Sequence, residues 1–186
     1  MKKIIALGAS NSKNSINKKF AKWAAHHIED ALVEVVDLND YQMPLYSPDL
    51  EENEGIPDIV NELKIKLNTA DGFVISLAEY NGNYTVAFKN TQDWLSRMGR
   101  DIWGSKPTLL MATSPGKMGG KSVLAIGKQG FPHMGASVVT TFSLPSFHEN
   151  FIDSKGIVNA HLSTEFIIQL TKFNNVLNKN WREEKV

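Results

Sequence analysis

Cysteine is absent from the 186 residues, which removes disulfides, thiolate nucleophiles and thiol-ligated metals at once. Neither sign of charge is in excess, since 20 Lys+Arg stand against 20 Asp+Glu. Without a basic stripe there is no footprint for nucleic acid, and without an acidic bias there is no surface for docking on a basic partner. No apolar run approaches the roughly 18–20 residues that cross a bilayer. Met1-Lys2-Lys3 leads straight into four apolar residues, with neither a signal-peptide core nor a cleavage pattern. These absences describe a soluble, cytoplasmic protein that contacts neither nucleic acid nor membrane. No repeat, low-complexity tract or linker divides the chain, and 42% of it is hydrophobic. Residues 1–186 therefore read as one domain with a sizeable core.

What the chain has is alternation. Ile4-Ile5-Ala6-Leu7 is a short, uninterrupted apolar run, as in a strand buried on both faces. Phe20, Trp23, Ala24, His27, Ile28 and Leu32 then recur at three- and four-residue steps, predicting one face of a helix. Further strands are predicted at 32–38, 73–77, 108–113 and 136–142, and helices at 59–67, 88–98, 123–129 and 162–177. Residues 39–57, with three prolines, read as a long loop, and loops of that length are more often functional than idle. Five strands alternating with five helices predict an α/β fold, a parallel sheet covered on both faces in the doubly wound arrangement. In such a sheet a ligand binds beyond the carboxyl ends of the strands, where the loops after strands one, three and four meet.

Those three loops carry the chemistry. Residues 8–17 offer three serine hydroxyls, three asparagine side chains and free backbone N–H groups at the positive end of a helix dipole, which is what a phosphate needs. The same residues also serve as a plain strand–helix turn capped by Ser15. With Gly8 alone, the loop lacks the G-x-G-x-x-G of a dinucleotide-binding turn. The second loop, 78–84, contains Tyr80, Asn81 and Gly82. Its backbone could grip the polar edge of a planar ring, and it equally reads as a tight turn with Tyr80 in ordinary packing. In the third loop, Pro115 to Ser122 reads P-G-K-M-G-G-K-S, one residue from the G-x-x-x-x-G-K-[ST] phosphate loop. Pro115 stands where the first glycine belongs, and its fixed φ and missing N–H cannot copy that turn. Gly116, Gly119 and Gly120 read instead as letting backbone approach a flat ligand. The histidines show no ligand spacing: His26 and His27 are adjacent on the first helix, while His133, His148 and His161 are scattered.

Together the loops resemble those of the NADPH-dependent FMN reductases, a flavodoxin-like group that includes quinone, azo-dye and chromate reductases. The family's S-x-R-x-x-S-x-N stands here as Ser10-Asn11-Ser12-Lys13-Asn14-Ser15-Ile16-Asn17. Its P-E-Y-N and K-N-x-x-D-W stand as Ala78-Glu79-Tyr80-Asn81 and Lys89-Asn90-Thr91-Gln92-Asp93-Trp94. Its serine-led, glycine-rich turn matches residues 114–120 in content. The resemblance implies a three-layer sandwich around a five-stranded parallel sheet in the order 2-1-3-4-5. It implies that Ser10, Ser12, Ser15, Ile16 and Asn17 hold the FMN phosphate. It implies that Ala78, Glu79, Tyr80, Asn81, Ser114, Pro115, Gly116 and Gly119 hold the isoalloxazine. Two positions depart from the family. Ser12 replaces the arginine, removing a charge-assisted contact of about 1.5–3 kcal/mol, and Ala78 replaces the proline.

The expected activity is transfer of electrons from NADPH or NADH, through FMN, to a small-molecule acceptor such as a quinone, azo compound, metal ion or free flavin. The cofactor carries that chemistry, so no catalytic residue and no metal ligand is named. The competing expectation is a flavodoxin-like electron carrier or flavin-binding module without a nicotinamide site. Carriers of that kind are usually strongly acidic, and this neutral chain is not. A homodimer or homotetramer is also expected. Met43, Leu45, Tyr46, Met118 and Phe131, with Trp94 and Trp103, would form an apolar patch buried by two-fold pairing, unless they fill the protein's own core.

Overall fold

The computed structural model of the chain describes residues 1–183. Its five parallel strands are β1 (Lys2–Ala9), β2 (Ala31–Val36), β3 (Gly72–Leu77), β4 (Pro107–Thr113) and β5 (Ser137–Leu144). They lie in the order β2-β1-β3-β4-β5, the order expected from the sequence. The helices are α1 (Ile16–Ala25), α2 (Pro48–Glu54), α3 (Asp58–Asn68), α4 (Val86–Arg97), α5 (Lys121–Gly130), the single turn α6 (Phe147–Asn150) and α7 (Ala160–Glu183). A short ribbon of β6 (Phe151–Ile152) and β7 (Gly156–Ile157) precedes α7. No described helix is long and apolar enough to cross a membrane.

Side chains alternate along a strand, so each central strand supplies two cores. Ile5, Leu7, Phe73, Ile75 and Leu110 pack on one face against Val60 and Leu63 of α3, Phe88 and Trp94 of α4, and Val123 of α5. Ile4, Ala6, Val74, Leu109 and Met111 pack on the other against Phe20 and Ala24 of α1 and Phe166, Leu170 and Phe173 of α7. Helices on both faces are the reason the strand sequences are unbroken apolar runs. Each fully buried Phe or Leu contributes about 1.5–3 kcal/mol. The result is a rigid platform from whose carboxyl edge the loops after β1, β3 and β4 emerge. Their ends are in register, with Ala9 paired to Leu77 and Leu77 to Ala112.

The structure corrects several readings of the sequence. The first helix ends at Ala25 although the apolar period continues to Leu32. Asp30, at φ 54°, reverses the chain into β2, where Leu32 is exposed. His26 and His27 therefore lie beyond the helix, their Nδ1 atoms 2.7 and 2.9 Å from the carbonyls of Lys22 and Trp23. The long loop 39–57 contains α2, which buries no residue and so has no apolar period to betray it. Ser47 caps it, accepting the N–H of Leu50 at 3.1 Å, and Pro48 occupies its first turn. Three members of the expected apolar patch belong to the core instead. Trp94, Trp103 and Phe131 are at most 1% exposed, and the Trp103 and Phe131 rings stack 5.1 Å apart.

Candidate functional site

Gly8 lets α1 lie against the end of β1. A Cβ there would stand 2.4 Å from the backbone nitrogen of Lys18, closer than any side chain allows. The loop between them is pinned by its own serines. Ser10 is buried and its Oγ accepts the N–H of Ser12 at 3.1 Å, while the Ser12 carbonyl accepts the N–H of Ser15 at 3.1 Å. Ser15 caps α1, its Oγ accepting the N–H of Lys18 at 3.1 Å. The N–H groups of Ile16 and Asn17 have no acceptor among the described residues. They stand in the first turn, where the helix dipole is positive.

Asn17 has a second task. Its buried Oδ1 accepts the N–H of Thr113 at 3.1 Å and the hydroxyl of Ser76 at 2.7 Å, and its Nδ2 donates to the Thr113 carbonyl at 3.1 Å. The side chain thus clamps β3 to the end of β4. Its backbone N–H and remaining amide hydrogen are what it can still offer a ligand.

After β3, Tyr80 and Asn83 exchange N–H···O bonds of 3.0 and 3.1 Å around Asn81 and Gly82, at φ 51° and 75°. This is the hairpin turn that an Asn-Gly pair adopts readily. It leaves Tyr80 half exposed. Thr85 ends the loop, capping α4 and donating to the Ala9 carbonyl at 3.1 Å. Glu79 reaches across to the next loop, where its Oε2 accepts the N–H of Val123 at 2.9 Å. The N-cap of α5 is Gly120, which has no side chain, so Glu79, 44 positions before Val123, supplies the missing cap.

The loop after β4 is laced to the end of β5. Gly116 O accepts the N–H of Ser146 at 2.9 Å, Ser114 O that of Phe147 at 3.0 Å, and Gly119 O the Ser143 hydroxyl at 3.0 Å. Gly119 has φ 59°, and a Cβ there would lie 2.6 Å from Ser143 Oγ. One on Gly120 would lie 2.9 Å from the Cβ of Ala112. At these two positions a side chain would collide with the chain's own atoms. A Cβ on Gly116 would meet only the Oγ of Ser114, at an ordinary contact distance of 3.9 Å. Tyr84 packs with its hydroxyl against Gly127 and Gly130 of α5 and without a hydrogen-bond partner, and burial pushes its phenol up to about 12.

Between the three loops lies a cleft of about 220 Å³. Ser10, Ser12, Ser15, Ile16 and Asn17 line one side, and Ala78, Glu79, Tyr80, Ser114 and Pro115 line the other. Of the residues singled out in the sequence, Asn81, Gly116 and Gly119 do not line it. Asn14 and Thr113 do; the sequence reading counted Asn14 only among the amides of the first loop and did not name Thr113. Asn14 sits within the hydroxyl- and amide-rich segment, so its position was a usable signal. Thr113 is the last residue of β4, and only the sheet register shows that it faces α1. A larger cavity of about 500 Å³ adjoins the cleft, and Tyr80 lines both.

A family model described as NADPH-dependent FMN reductase matches residues 2–149 of this chain. The chain belongs to the NADPH-dependent FMN reductase family. A protein of Mycoplasma pneumoniae is 32% identical over 154 residues, covering 80% of this chain and 90% of that one. A quinone reductase of Escherichia coli is 36% identical over 118 residues, and the match spans 63% of this chain and 62% of that enzyme. The structure of FerB, a flavoenzyme NAD(P)H:(acceptor) oxidoreductase from Paracoccus denitrificans, superimposes with a TM-score of 0.76. That match covers 96% of this chain and 98% of FerB at 25% identity.

Proposed function

We propose that this protein binds FMN in the cleft between the ends of β1, β3 and β4 and reduces a quinone with electrons from a reduced nicotinamide. The observation that carries the reading is the first turn of α1. Two N–H groups without acceptors stand there beside the Ser12 and Ser15 hydroxyls, and a phosphate monoester satisfies such a set. The fit extends to the ring. Ala78, Glu79 and Tyr80 on one loop and Thr113, Ser114 and Pro115 on another border the same cleft, a slot that suits a planar heterocycle. FMN, when bound, supplies the chemistry, accepting hydride from a nicotinamide and passing electrons on.

The protein's own residues position and enclose. Ser12, Ser15, Ile16 and Asn17 hold the phosphate by hydroxyls and N–H groups in place of a guanidinium. Asn17 and Glu79 keep the three loops at fixed separation. Tyr80 stands at the open side of the slot. Two copies pair over that side in this reading, covering Leu45, Val86 and Met118, which are 73, 71 and 61% exposed. The cytoplasm, where reduced nicotinamides are available, is the setting.

The test uses the purified protein loaded with FMN. NADH or NADPH bleaches the flavin absorbance without oxygen, and a benzoquinone restores it. Protein stripped of flavin oxidises no nicotinamide until FMN returns. Nicotinamide oxidation that survives complete removal of flavin overturns the mechanism.

A further inference from the structure

Three loops border the cleft, and two cross-links hold them. Asn17 joins the first loop to the end of β4, and Glu79 joins the loop after β3 to the first turn of α5. Two links among three bodies leave one separation free, that between the first loop and the loop after β3. A flavin with its phosphate on the first loop and its ring beside the second spans that same separation. We propose that Thr85 supplies the third link and is a positioning residue for FMN, fixing the distance from the phosphate site to the ring slot. This inference rests on the flavin-binding reading and adds to it a residue that does not line the cleft.

The geometry is that of a strap. After the Tyr80–Asn83 turn the chain returns to the sheet edge at Thr85 and enters α4. Ala9, the last residue of β1, directly precedes Ser10 of the phosphate loop and is paired in register with Leu77. The Thr85 hydroxyl makes two bonds at once. Its oxygen accepts the N–H of Phe88 at 3.1 Å, and its proton goes to the Ala9 carbonyl at 3.1 Å. The first bond is a helix cap, closed within its own turn. The second crosses 76 residues of sequence and reaches the base of the phosphate loop. Thr85 is 1% exposed, so burial denies that proton water and the carbonyl is its partner. An ionised aspartate caps a helix equally well but has no proton for Ala9, and the hydroxyl does both.

A flavin held at both ends behaves as a bivalent ligand. Once the ring is seated, the phosphate binds at an effective concentration that is highest when the two sites stand at the separation the ligand spans. Cutting the strap removes no contact to ring or phosphate. It lowers the gain from making both. FMN therefore weakens, while riboflavin, the same ring and ribityl chain without the phosphate, hardly changes. A role in stability alone would weaken both flavins alike or neither.

The test compares two flavins on the full chain freed of flavin. Thr85→Val keeps the shape of the side chain and removes both hydrogen bonds, whereas Thr85→Ser keeps them. Titration with FMN and with riboflavin, followed by quenching of flavin fluorescence, gives the ratio of the two affinities for each protein, and urea unfolding verifies the fold. The ratio falls about tenfold in Thr85→Val and stays within about twofold of the parent in Thr85→Ser. Thr85→Ala, which leaves room for water at the two freed groups, shows the same fall as Thr85→Val. Ser47→Ala uncaps α2 at a residue that does not line the cleft, and it loses stability while keeping the parent ratio. A parent-like ratio in Thr85→Val and Thr85→Ala overturns the proposal, whether the two flavins bind unchanged or equally weakened. A ratio that falls as far in Ser47→Ala overturns it too, because lost stability alone then moves the readout. A parent that binds FMN no more tightly than riboflavin refutes instead the phosphate site on which the proposal rests, and the proposal falls with it.

Discussion

Replacing Glu79 by alanine removes the tie between the loop after β3 and the first turn of α5. In the parent, the carboxylate accepts the N–H of Val123 at 2.9 Å, and Gly120 offers no substitute cap. Losing a side-chain cap costs about 0.5–2 kcal/mol. Losing a negative charge at a helix N-terminus costs about 0.3–1 kcal/mol. The two effects overlap, so the expected destabilisation is about 1–2 kcal/mol. Glu79→Gln keeps an oxygen able to accept the bond and drops only the charge, so it loses about 0.3–1 kcal/mol. Urea unfolding measures both, with the midpoint falling from parent to Gln to Ala at constant slope. A second readout separates positioning from mere stability. Glu79 ties together the two loops of the proposed ring slot, so FMN affinity, followed by quenching of flavin fluorescence, is expected to fall severalfold in the alanine variant and less in the glutamine variant. An alanine variant as stable as the parent refutes the capping argument. One that is less stable but binds FMN with unchanged affinity refutes the positioning argument.

Ser12 and Ser15 share the phosphate assignment but differ in structure, since only the Ser15 hydroxyl caps a helix. Ser12→Ala is expected to weaken FMN binding by about 1–3 kcal/mol with stability unchanged, whereas Ser15→Ala loses both, and equal FMN titrations for parent and Ser12→Ala would dismiss the phosphate site. Tyr84 carries a phenol raised to about 12 by burial, so the folded state holds that proton more tightly than the unfolded chain. Its stabilising effect is complete below pH 10 and is lost as pH climbs from 10 towards 12. Tyr84→Phe removes that part of the alkaline decline and a buried hydroxyl without a partner, leaving stability at neutral pH unchanged or about 1 kcal/mol higher. A loss of more than about 1 kcal/mol in urea unfolding would show that the hydroxyl is bonded after all.

The sequence by itself determined the sheet and the position of the cleft. Strands buried on two faces must be apolar at every position, so β1, β3 and β4 announced themselves, and polar loops after them could only gather at one edge. The Ser15 cap was legible for the same local reason, because a cap bonds within its own turn. Tertiary structure decided what depends on distant partners. Asn17 reads as a phosphate ligand in sequence, yet its side chain bonds to Thr113 and Ser76, 96 and 59 residues away. Glu79 looks like part of a ring-binding turn, and its carboxylate serves a helix whose first residue lies beyond the next strand. Apolar periodicity could not reveal α2, which fully buries no residue and packs only Leu50 against the core. Nor could composition say that Trp103 and Phe131 stack in the core rather than on the surface, since an aromatic residue is equally apolar in both places. Local bonding and burial on two faces leave a pattern along the chain, whereas a contact across the fold depends on how the layers come together.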